Sequence, residues 1–108
     1  MVEEKKVLNL LSLSQRAGRI ASGEFMTQKA VKSRQAFLVI LAADASENTK
    51  KKFQNMCTYY RTPVIELSDM DRLGHCIGRS VRSSLAVLDE GFAKAILKLA
   101  GEDLNTRR

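Results

Sequence analysis

The chain has 108 residues, 44% of them hydrophobic, which is enough for one packed domain and argues against disorder. Eighteen Lys and Arg against twelve acids leave a net charge of +6, which points toward a polyanionic partner. No apolar run reaches membrane-spanning length, the opening MVEEKKVLNLLSLSQRAG has no secretory character, and Cys57 and Cys76 stand far apart, so a cytoplasmic protein with reduced thiols is expected.

Val7, Leu10, Leu11 and Ser14 recur at helical spacing, and Gly18 supplies a C-terminal cap for that first helix. Residues 19–22 read as a short strand. Residues 24–33 read as a second helix with Met26, Ala30 and Val31 facing inward. The apolar run at residues 37–42 (Phe37, Leu38, Val39, Ile40, Leu41, Ala42) has the character of a strand covered on both faces. Asp44-Ala45-Ser46-Glu47 has capping-box spacing and opens a third helix, with Phe53, Met56, Cys57 and Tyr60 as its buried stripe. Pro63 stops that helix, and a strand at residues 64–67 follows. A cap-like start at residues 68–71 gives a short fourth helix to about Cys76. Residues 85–88 form the last strand. Phe92, Ala93, Ile96, Leu97 and Ala100 mark a final amphipathic helix, and residues 102–108 are expected to form a loose tail. Strict alternation of helix and strand over residues 1–101, with no linker or repeat, predicts a single α/β domain with helices on both faces of a central sheet.

Chemistry concentrates around Gly23. A glycine opens a short basic helix, and a helix N-terminus presents free N–H groups and partial positive charge to an anion. Glycine also lets another backbone approach closely. Lys29 and Lys32 follow on the helix, with Arg34 just beyond, and Arg16 and Arg19 lie near in sequence. Lys50-Lys51-Lys52, opposite an apolar stripe, reads as a solubilising surface. Phe25 has two readings, an exposed stacking platform or a core residue. Asp69 and Asp71 read as capping and solubilising groups. His75, Cys76 and Cys57 are too few and too far apart for a zinc site. Both G-x-G-x-x-G and the P-loop are absent, Ser83-Ser84 has no nucleophile-elbow context, and no catalytic constellation or cofactor site is found.

Several motifs occur in a recognisable order: G-x-x-x-T-x-K-A at Gly23–Ala30, A-x-D-A after the apolar strand, Cys57, Thr62-Pro63-Val64, Leu73-Gly74-x-x-x-Gly78 and Leu85-Ala86-Val87. As a set they resemble the ribosomal protein L7Ae/L30e superfamily, and Asp89-Glu90-Gly91-Phe92-Ala93-Lys94 looks like its bacterial YlxQ-type branch. The resemblance spans residues 4–101. It implies a three-layer α/β/α sandwich with a small mixed central sheet of four strands, and binding to structured RNA, ribosomal or kink-turn-like. With no catalytic constellation in the chain, a non-enzymatic cytoplasmic protein is expected, with RNA as its partner and not DNA or membrane. By position the resemblance carries the helix-opening role to Gly23 and phosphate contact to Lys29. Packing on extruded nucleotides falls to Arg79-Ser80-Val81, with Arg82 beside them.

The expected interface is therefore Gly23, Glu24, Phe25, Lys29, Lys32, Arg34, Arg79, Ser80, Val81 and Arg82. Glu24 is the one acid among them, suited to a base amino group or to the helix start. Val81 either meets RNA or anchors its loop against the sheet. The chain departs from kink-turn binders at Phe25 and Met26, where those proteins place a polar pair that reads base edges. That departure supports an alternative, a protein-interaction adaptor on the same fold. An RNA-modifying enzyme is the third reading, disfavoured by the short chain and the missing cofactor loop.

Overall fold

The computed structural model describes residues 3–101, and the tail expected at residues 102–108 lies outside the described residues. Five helices alternate with four strands: α1 (Glu4–Arg16), β1 (Ile20–Ser22), α2 (Glu24–Lys32), β2 (Leu38–Leu41), α3 (Glu47–Tyr60), β3 (Val64–Glu66), α4 (Met70–Cys76), β4 (Ser84–Val87) and α5 (Glu90–Leu99). The strands lie in the order β1-β4-β2-β3. β2 and β3 run parallel, whereas β4 is antiparallel to both β1 and β2. The sheet is mixed, as the resemblance implied.

β2 and β4 are buried at every position, because alternate side chains enter different cores. Leu38, Ile40, Leu85 and Val87 pack with Val7 and Leu11 of α1, Leu73 of α4 and Ile96 of α5. Val39 and Leu41 pack on the other face with Val31 of α2 and Phe53 and Cys57 of α3. Helices thus cover both faces, giving the α/β/α layering. Phe37 is the exception to the buried run, at 43% exposed. Its N–H donates to the Val87 carbonyl at 2.8 Å, one residue before β2 begins, where the apolar sequence outruns the covering helices.

The helix starts differ in detail from the spacing argument. α3 is capped by Ser46, whose hydroxyl accepts from the Thr49 N–H at 3.1 Å. Asp44 instead accepts the Met70 N–H at 2.9 Å and so fastens the start of α4. Asp69 and Asp89 cap α4 and α5. At the other ends, α2 and α3 are each followed by an arginine in the left-handed region, Arg34 at φ 62° and Arg61 at φ 59°. Glycine usually occupies such positions, and a side chain there costs about 1–2 kcal/mol.

Lys51 and Lys52 are exposed, as a solubilising face requires, and Lys50 departs from that reading. Lys50 is largely covered, with Glu66 at 3.4 Å and Glu47 at 3.9 Å, and Lys52 pairs with Glu24 at 3.2 Å. Of the three, Lys51 alone has no ion pair among the described residues. The triplet links α3 to β3 and α2 because successive lysines on a helix point in different directions.

Candidate nucleic-acid interface

α2 buries Thr27, Ala30 and Val31, which places Phe25, Lys29 and Lys32 on the opposite face. These three, with Gln28 and Ser33, line a shallow groove of about 400 Å³. Phe25 is 74% exposed, which excludes its core reading. Met26, expected inward, is 45% exposed instead. The Thr27-Ala30-Val31 stripe leaves it about a quarter-turn off the buried face.

Gly23 precedes the helix at φ 90°, and a Cβ there would meet nothing within 4 Å. The glycine is therefore required by backbone conformation, and its side of the molecule is open. No side chain caps the helix start, so the first-turn N–H groups of Glu24 and Phe25 are free of a side-chain partner. The Gly23 N–H donates to the Ser84 carbonyl at 3.0 Å, joining the start of α2 to the start of β4. Glu24 is held by Lys52, which neutralises the one acid at this helix end.

The segment between α4 and β4 reaches the same place. Arg82 donates from Nε to the Ser22 hydroxyl at 3.2 Å and from Nη1 to the Val81 carbonyl at 2.8 Å. Its guanidinium is thereby fixed beside Gly23. Arg79, Ser80 and Val81 are exposed and form one wall of a groove of about 840 Å³, faced by Leu8 and Ser12 of α1 and His75 and Cys76 of α4. Val81, at 48% exposed, sits in this wall and not in the core. The Ser12 hydroxyl donates to the Cys76 carbonyl and holds the groove's two helices together.

Gly74 shapes this loop. A Cβ on Gly74 would stand 1.8 Å from the Ser80 carbonyl oxygen, so only glycine lets α4 lie against the loop backbone. Spacing places Gly74 in the Leu73-Gly74-x-x-x-Gly78 motif but assigns it no contact. A glycine inside a seven-residue helix is the signal that marks close backbone approach. Lys52, partner of Glu24, has no comparable signal, because its approach to α2 depends on how α2 and α3 pack.

Arg34 does not join this cluster. Strand register pairs Ser22 with Leu85 and Leu41 with Ser84 at one end of the sheet, and Leu38 with Val87 at the other. Gly23 and Arg82 lie at the first end. Arg34, which leads through Phe37 into Leu38, lies at the second, as do Arg16 and Arg19 before β1. Cys57 and Cys76 are both free, and burial pushes each thiol up to about 11.

Residues 5–97 match the family described as ribosomal protein L7Ae/L30e/S12e/Gadd45. The RNA-binding protein YlxQ of Bacillus subtilis is 40% identical over 90 residues, 83% of this chain and 90% of its own length. Its namesake from Enterococcus faecium is 38% identical over 95 residues, 88% of this chain and 91% of its own. Among solved structures, a Bacillus halodurans protein of unknown function superposes with a TM-score of 0.86 at 39% identity, over 90% of this chain and 98% of the other. The Giardia lamblia 15.5 kD RNA binding protein superposes with a TM-score of 0.74 at 21% identity, over 87% and 81%, a likeness of fold.

Proposed function

The chain belongs to the ribosomal protein L7Ae/L30e/S12e/Gadd45 family, and from that premise we propose that it is a non-enzymatic cytoplasmic protein acting in translation on structured RNA, ribosomal or kink-turn-like. The backbone enters RNA's reach at Gly23, where the N–H groups of Glu24 and Phe25 meet a phosphate. Lys29, Lys32, Arg79 and Arg82 neutralise neighbouring phosphates. Phe25 stacks on an unpaired base, a contact worth about 1–3 kcal/mol, and Ser80 and Val81 meet sugars or bases. The observation that carries this reading is the Arg82–Ser22 hydrogen bond, which unites two segments 60 residues apart into one basic edge around an open helix start.

A second reading keeps the same surface but gives it to a protein partner. It is favoured by Phe25 and Met26, exposed apolar side chains where kink-turn binders carry a polar pair.

A gel-shift titration separates the two, using a kink-turn RNA and a plain duplex of equal length at low and physiological salt. Salt-sensitive binding that favours the bent RNA is expected. Absence of binding to either RNA at low salt would transfer the surface to the adaptor reading.

A further inference from the structure

At the far end of the sheet from Gly23, three aromatic residues and two arginines gather. Arg34, Phe37, Tyr60 and Arg61 line a common groove of about 350 Å³. The Arg34 guanidinium lies 5.3 Å from the centre of the Tyr60 ring, and Tyr59 meets that ring edge-on at 4.9 Å. Tyr59 is 76% exposed and Phe37 43%, so two ring surfaces face solvent beside the cations. Neither arginine has a carboxylate within ion-pairing distance among the described residues. The nearby Glu90 is neutralised by Lys94 at 3.4 Å, which leaves the groove with an excess of positive charge.

Both arginines occupy left-handed helix-terminating positions where glycine is the lower-energy residue. A cation at a helix C-terminus recovers part of that strain. It does not explain why both helices end on the same side, around exposed rings. We infer that this end of the molecule is a second RNA contact, taking a short unpaired strand. Its bases stack on Tyr59 and Phe37, and its phosphates meet Arg34 and Arg61. Flat rings beside unpaired guanidinium groups suit a strand that alternates bases and phosphates. The inference rests on the chain being an RNA binder, but not on the Gly23 edge being the site.

The test is fluorescence anisotropy with a labelled oligouridylate, comparing the native chain with Tyr59→Ala, the pair Arg34→Gly and Arg61→Gly, and the pair Lys29→Ala and Arg82→Ala. Glycine relieves the positive φ at both arginines, so that variant should melt close to the native temperature while binding more weakly. Tyr59→Ala and the glycine pair should each weaken oligouridylate binding about tenfold. In the Lys29/Arg82 variant, whose own RNA affinity is lowered, adding Tyr59→Ala should weaken the remaining oligouridylate binding by a similar factor, because the two ends share no partners. Unchanged affinity in both far-end variants would overturn the second contact and leave the Gly23 edge standing. A native chain that binds neither oligouridylate nor kink-turn RNA would overturn both. A labelled polyglutamate peptide that the native chain binds and the far-end variants do not, with oligouridylate binding unaffected, would overturn the RNA assignment and give the groove to an acidic protein segment.

Discussion

Lys29 and Arg82 reach one edge by different routes, one from a helix face and one from a loop pinned to Ser22. Replacing either by Ala should weaken RNA binding and flatten its log–log salt dependence by about 0.7–0.9 for each phosphate no longer neutralised. Slopes equal to the native slope in both variants would remove the proposed edge. Thr27 makes a different residue-level prediction. Its hydroxyl is buried without a hydrogen-bond partner, and an unpaired buried hydroxyl is destabilising by about 1–3 kcal/mol. Thr27→Val should therefore raise the urea midpoint, and a lowered midpoint would mean the hydroxyl is satisfied. The two thiols, raised to about 11, stay protonated at pH 8 in the folded chain. Alkylation at that pH should be much slower in native than in urea-unfolded protein, and equal rates would show that neither thiol is shielded. Above about pH 9 the unfolded thiols ionise while the folded ones do not, so their contribution to stability falls as pH rises toward 11.

At the scale of elements, the order of helices and strands is legible because each apolar run has a distinct period and a punctuating Gly or Pro. The boundaries are less so. Capping-box spacing favours Asp44 as the cap of α3, yet Ser46 takes that place, because the fold brings the Met70 N–H within reach of Asp44. Met26 faces outward against expectation because a nine-residue helix offers too few apolar positions to fix its buried face. Lys29 and the glycine before the first turn are legible since they depend on local spacing alone, whereas Phe25 stays open between platform and core until the buried face of α2 is known. The partners Lys52 and Ser22 are not legible, because both contacts join segments distant in the chain. Gly74 gives the sharpest test of element packing. Gly74→Ala should push the loop at residues 77–83 off α4 and destabilise the fold by about 1–3 kcal/mol. For a chain of this size each kcal/mol lowers the melting point by about 4–8 °C. A native melting point and native RNA affinity would show that the loop needs no such close approach.

Over the whole molecule, the sheet separates two groups of basic residues, one around Gly23 and Arg82 and one around Arg34 and Arg61. Family membership and three-layer architecture follow from ordered motifs and alternating elements, signals spread along the chain that survive local errors. The arrangement of charge does not follow, since Arg34 is two residues beyond Lys32 in sequence yet stands at the opposite end of the sheet from Gly23. Such separations depend on helix length and strand direction together. The most direct test of the proposed edge is a two-dimensional amide NMR titration of the native chain with kink-turn RNA. Shifts concentrated at Gly23, Phe25, Lys29 and residues 79–82 are the expected result. Shifts that leave those residues unmoved while others respond would contradict the assignment of this edge to RNA.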